Sequence, residues 1–213
     1  MAATDTRLLV LGAVCLFEPV NGYQVRRELL SWGVEDWAHI NPGSIYTVLA
    51  TLTRQGHLRR HDVPERARSV AVYTVTDAGH TEFEVMLASA LETVDVASPL
   101  PFHVALAMVP LVPREQYVGH LEVRRARLAV RLDEYRAVDG SEESVPPHAL
   151  AVPELWASLV RAELDWVDRM LGRVRAGDFD FRGEEPRWVP AADDPGWQMT
   201  HDRDRYRRVL GLG

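Results

Sequence analysis

Apolar residues recur at helical spacing along most of this chain, and the pattern changes to strand-like alternation only between about residues 58 and 75. Leu8 to Phe17 is apolar nearly all round and follows Thr4-Asp5-Thr6, good helix-capping types, which predicts a buried first helix. Glu18 to Gly22 stops it in a turn. Tyr23 to Trp32 reads as a second helix with Val25, Leu29 and Leu30 inward and Gly33 placed to end it. Trp37 to Asn41 is irregular or a short strand, and Pro42 opens a third helix. There Ile45, Val48, Leu49 and Leu52 follow i, i+3, i+4, i+7, a single core stripe. Ser44, Thr47, Ala50, Thr51 and Arg54 face out, Tyr46 sits at the border, and Gly56 ends the helix. Leu58 to Asp62 and Val70 to Val75 are strand-like and form a two-stranded ribbon with a charged tip.

Thr76-Asp77 starts a fourth helix striped by Phe83, Leu87, Leu91 and Val94, and Ser98 to Pro101 breaks it. Phe102 to Val109 is a short apolar segment. Arg114 to Val138 is a helix with Leu121, Leu128, Leu132 and Tyr135 in line, and residues 139–147 are a loop. Pro153 to Arg175 is a last helix, its proline suited to the first turn. It carries two apolar faces, one of Leu155, Leu159, Ala162, Trp166 and Met170 and one of Trp156, Val160, Val167 and Leu171. One face can pair with the 114–138 helix, and the second needs another partner, within the chain or from a second subunit. From Gly177 the sequence loses its period, which predicts an irregular tail packed through Trp188 and Trp197.

Composition narrows the class without deciding it. The 213 residues are 46% apolar and 26% charged, an ordinary globular balance. One cysteine, Cys15, rules out an intrachain disulfide framework and reads as an inert core thiol. With neither a secretory signal pattern nor a membrane-spanning run in the sequence, a cytoplasmic protein is expected. The net charge of −7 argues against an unselective nucleic-acid coat, but residues 1–80 hold eight arginines against eight acids. DNA binding by that part would need local clustering rather than bulk charge.

Helix, helix, helix and ribbon within about 75 residues is the order of a winged helix-turn-helix, whose third helix enters the major groove. Gly43 lies at that helix's start, where N–H groups and the dipole favour a phosphate, and Ser44 and Tyr46 can add hydroxyl contacts. Tyr46 can equally be a half-buried packing residue. Thr47, Thr51 and Arg54 lie far enough along to reach base edges. Arg66 and Arg68 at the ribbon tip suit backbone or minor groove. Phe102, His103, Tyr117, Trp156 and Trp166 are candidates for an effector pocket, although aromatic residues at helical spacing are more often core or interface. His57 and His61 lack a third partner for a metal, and no catalytic motif is present, so neither metal, cofactor nor enzyme activity is expected.

The chain resembles the PadR-type transcriptional regulators. Leu9-Val10-Leu11-Gly12, Gly22-Tyr23, Gly43-Ser44-Ile45-Tyr46 with Leu49 and Leu52, Gly56, and Tyr73-x-x-Thr76-x-x-Gly79 carry the resemblance, strongly over residues 7–80 and weakly to about 175. It implies a mainly α protein: a winged helix-turn-helix of three helices plus a two-stranded wing over residues 1–80, then an α-helical dimerisation and effector domain over 81–176. The tail 177–213 falls outside it. The resemblance further implies a homodimeric repressor on an inverted-repeat DNA operator, released by a small aromatic ligand, with Tyr23, Ser44 and Tyr46 on phosphates. The wing departs from the family's basic pattern, because Pro64-Glu65 dilutes it. The alternative is a winged-helix protein-interaction module without DNA binding.

Overall fold

The computed structural model describes residues 2–65, 68–137, 146–186, 189–194 and 196–212. Arg66, Trp188 and most of the 139–147 segment lie outside the described residues. The chain divides into two compact units, one of residues 1–87 with 186–213 and one of residues 88–185.

In the first unit, α1 (Ala2–Phe17) is followed by α2 (Gly22–Ser31), a short α3 (Val34–Trp37) and α4 (Pro42–Arg54). Leu9, Val10, Leu11, Ala13 and Val14 of α1 are fully enclosed, as the all-round apolar sequence requires. Ile45, Leu49 and Leu52 of α4 lie in the same core, while Val48 is half-buried. Cys15 sits at the core margin rather than inside it.

The ribbon is one edge of a three-stranded antiparallel sheet, not a free two-stranded one. A two-residue strand β1 (Val20–Asn21) pairs with β3 (Arg68–Val75), which also pairs with β2 (Leu58–Glu65). Cross-strand partners share a face. Leu58 with Val75 and Arg60 with Tyr73 therefore mark one face, and His61 with Val72 and Val63 with Val70 mark the other.

The second face corrects the expectation for the tail. Residues 196–210 are a helix, α9, and its Tyr206 is buried against Val63 and Val72, with Val70 and Leu210 around it. A sheet with valines on both faces must be covered twice, and α9 is the second cover. Asp194 caps the helix, its carboxylate accepting the Gly196 N–H at 2.7 Å.

The second unit contains the end of α5 (Asp77–Glu92), α6 (Leu100–Leu106), a 3₁₀ turn (Val109–Leu111), α7 (Arg114–Arg136) and α8 (Pro147–Ala176). Helix α8 starts six residues before the proline expected to open it, so Pro153 lies inside the helix. Tyr117, Leu121, Leu128 and Leu132 of α7 pack with Val160, Val167, Leu171 and Val174 of α8 in one core.

Candidate nucleic-acid interface

The outward face of α4 is formed as its sequence predicts. Gly43, Thr47, Ala50 and Arg54 are exposed, Ser44 and Thr51 are half-buried, and Tyr46 retains 46% exposure. Among the described residues the Arg54 guanidinium reaches only the Thr51 hydroxyl, at 3.4 Å. The helix start differs from the expected phosphate cradle. Pro42 has no N–H, the Gly43 N–H donates to Asn41 Oδ1 at 2.8 Å, and the Ser44 N–H donates to the Asn41 carbonyl at 2.9 Å. The Ser44 hydroxyl also donates to that carbonyl, at 2.6 Å. A phosphate arriving here must displace the Asn41 carboxamide or recruit the Ser44 hydroxyl away from it.

Gly22 explains how α2 meets α4. A Cβ at Gly22 would stand 3.1 Å from Tyr46 Cε1 and 3.3 Å from Leu49 Cδ1, so its absence lets the Tyr46 ring lie against the start of α2. One edge of Tyr46 thus packs, as a half-buried tyrosine would, and the rest is open. Tyr23, the next residue after Gly22, is 62% exposed. Beneath it Asn21 and Gln24 form a reciprocal capping box, with N–H to side-chain bonds of 2.9 and 3.0 Å. Helix α9 holds both capping side chains, because Asn21 Nδ2 donates to Tyr206 Oη and Gln24 Nε2 donates to Asp202 Oδ2, each at 2.9 Å. Tyr206→Phe should lower stability by about 1 kcal/mol in chemical denaturation, since it removes one acceptor and leaves the packing. An unchanged midpoint would mean that Asn21 does not need the phenol.

The base of the wing is built around Thr76. Its hydroxyl donates to the Gly56 carbonyl at 2.6 Å and accepts the Gly79 N–H at 3.1 Å, joining the end of α4 to the start of α5. Glu18 Oε2 accepts the Val75 N–H at 2.6 Å, and burial pushes its carboxyl above the usual range. Burial likewise raises the Tyr73 phenol and lowers His61, whose Nε2 lies 2.9 Å from Thr74 Oγ1. Further out, Arg59, Arg60 and Arg68 are exposed. Arg60 is held by Asp62 at 2.8 Å, on the sheet face that carries Tyr73, and Glu65 binds Arg205 of α9 at 2.7 Å. The sequence reading missed this link to α9. The matching signal was Met199, Tyr206 and Leu210 spaced seven and four apart behind an aspartate-proline start.

The aromatic residues expected to line an effector pocket fall into separate pairs. Phe102 meets Trp166 edge-on at 5.8 Å, Tyr117 meets Phe181 at 5.6 Å, and Trp156 meets Tyr135 at 5.5 Å. His103 is exposed, and burial alone pushes the Tyr117 phenol up to about 12. The polar centre of this unit is Arg124, unremarked in the sequence although it continues the stripe of Tyr117, Leu121 and Leu128. Its Nε donates to Glu163 at 2.5 Å and its Nη1 to the carbonyls of Leu91 and Thr93, while its Cζ lies 3.5 Å from the Phe102 ring centre.

No curated protein matches the chain. Among solved structures it is similar to Bacillus subtilis PadR in complex with operator DNA, at 16% identity over 76% of this chain and 97% of that one, with a TM-score of 0.32. The PadR-like transcriptional regulator BC1756 from Bacillus cereus stands at 15% identity over 79% and 94%, with a TM-score of 0.35. Bacillus subtilis PadR in complex with p-coumaric acid stands at 16% over 80% and 97%, with a TM-score of 0.30. A family model also matches residues 10–85, which hold most of α1, all of α2 and α4, and the wing. Those residues match the model of the transcriptional regulator PadR-like family.

Proposed function

We propose that the chain is a sequence-specific DNA-binding transcriptional regulator, a cytoplasmic homodimeric repressor of an inverted-repeat operator that a small aromatic ligand releases. The observation that carries this reading is the open outer face of α4, with Thr47, Ala50 and Arg54 exposed beside Tyr23 and Tyr46, inside the stretch that matches the family. Each subunit would lay α4 in a major groove, and two copies would read half-sites about 34 Å apart. Tyr23, Ser44 and Tyr46 would fix the register on phosphates, while Thr47, Thr51 and Arg54 would read base edges and Arg68 would lie along the backbone. Among the described residues no helix is long and apolar enough to cross a membrane.

The second copy is supported by α8. Its buried face uses Val160, Val167 and Leu171, whereas Val152, Leu155 and Leu159 on the other face are 46%, 56% and 46% exposed. Such a stripe is expected to meet its equal across a two-fold axis. Arg54→Ala tests the reading role of α4. It should cost about 1–3 kcal/mol of operator affinity and relax preference at one base pair. A loss equal across all sequences would reassign Arg54 to the backbone.

A further inference from the structure

Helix α9 lies outside residues 10–85, yet it is seated between two elements that face DNA in the proposed complex. On one side Asp202 and Tyr206 hold Gln24 and Asn21, the capping pair around Tyr23 at the start of α2. On the other side Arg205 binds Glu65, the last residue of β2. Between these ties Tyr206 is buried on Val63 and Val72, the sheet face that also carries Arg59 and Arg68.

The charges on this side of the unit are unequally engaged. Over Gly196–Leu210 the helix holds four arginines and two aspartates. Asp202 accepts from Gln24 and lies 3.6 Å from Arg205, which also meets Glu65. Arg205 thereby neutralises the acid that dilutes the wing. Arg207 and Arg208 are exposed. Arg207 stands near enough to Glu18 to oppose the rise of its carboxyl, and Arg208 donates to the Asp204 carbonyl at 3.3 Å. Among the described residues neither makes an ion pair within 4 Å. Asp204, one turn before Arg208 and on the same side of the helix, is the exposed acid of α9. On this sheet face and α9 together, Arg59, Arg68, Arg207 and Arg208 are thus exposed beside one exposed acid, among the described residues. Such a surplus suits a polyanion, and its continuity with Tyr23 and Arg68 makes that polyanion the DNA backbone.

We infer that α9 is a further DNA-contacting element, which lays Arg207 and Arg208 on phosphates beside the wing while Arg205 neutralises Glu65. This rests on the regulator reading and extends it: α4 reads bases, and α9 supplies backbone charge that the wing lacks.

Binding of the full chain to the duplex upstream of its own coding sequence, and to a scrambled one, tests this against salt. Arg207→Gln combined with Arg208→Gln should weaken both duplexes by the same factor, about tenfold. It should also make the slope of log affinity on log salt shallower by about 2, one phosphate per subunit of a dimer. Both side chains are exposed, so thermal unfolding should be nearly unchanged. Arg207→Lys combined with Arg208→Lys should keep the slope. Asp204→Asn should raise affinity about twofold or more at low salt, a gain that damaged folding does not produce. An unchanged slope in the glutamine variant, whatever its affinity, would overturn the inference and leave the regulator reading standing. A chain that binds neither duplex would overturn both.

Discussion

Arg124→Ala should lower the free energy of unfolding by about 3–5 kcal/mol, the largest effect expected of any single change in the chain. The guanidinium is 1% exposed and serves four neighbours at once: the Glu163 carboxylate, the carbonyls of Leu91 and Thr93, and the face of Phe102. The two carbonyls close the C-terminal end of α5, where a helix has no internal donors left to give. Removing the side chain strips the end of α5, leaves Glu163 without its cation and opens a void beside Phe102. Arg124→Lys should recover only part of the loss, because one ammonium cannot reproduce the fork that meets a carboxylate and two carbonyls. Arg124→Met combined with Glu163→Leu should be far milder than Arg124→Ala, since replacing a buried ion pair by apolar volume is often close to neutral. Urea denaturation of the three variants measures this order. An Arg124→Ala loss below about 1 kcal/mol would place the group in the range of a screened surface pair.

Gly79→Ala should be the most damaging change near the wing, at about 3 kcal/mol. A Cβ there would stand 2.1 Å from the carbonyl oxygen of His57 and 2.8 Å from Val75 Cγ1. The obstacle is backbone, so no rotamer change relieves it. Either α5 moves off the base of the wing, or the Thr76 bonds to Gly56 and Gly79 are lost. Both outcomes separate the end of α4 from the sheet, so DNA affinity should fall at temperatures where the variant is still folded. Gly119→Ala is the matched control: nothing lies within 4 Å of its Cβ, and inside helix α7 alanine should stabilise by about 0.5–1 kcal/mol. Thermal melts of the two variants that moved in the same direction would contradict the packing account.

Some elements of this fold could be read from the sequence because local chemistry decides them. The stripe of Ile45, Leu49 and Leu52 and the proline at the start of α4 are such cases. Other elements depend on partners far along the chain. Strand β1 is two residues long, too short to show alternation, and exists because β3 offers it an edge. Helix α9 was hidden by a polar sequence around Tyr206, but its counterpart was visible, since Val70 and Val72 alternate with Ala71, Tyr73 and Val75 and leave β3 apolar on both sides. Pro147 and Pro153 each suit a first helical turn, and periodicity cannot choose between them. At the candidate interface the exposed residues of α4 follow from the stripe, whereas the engagement of the Gly43 N–H by Asn41 is a matter of side-chain geometry. The aromatic residues of the second unit showed the same limit. Helical spacing places Trp156 and Trp166 along one helix without saying that one meets Tyr135 and the other Phe102.

Binding to the duplex upstream of the chain's own coding sequence, measured against salt, tests whether α4 and the wing read DNA. Among the described residues few cations stand here: Arg54 on α4, Arg60 on one face of the sheet and already engaged by Asp62, and Arg59 and Arg68 on the other face. A dimer that neutralises a handful of phosphates should give log affinity against log salt a slope of about −3 to −6. It should also prefer that duplex to a scrambled one at every salt concentration. A slope near zero, with equal weak binding to both duplexes, would contradict the account and leave the winged helix as a surface for another protein.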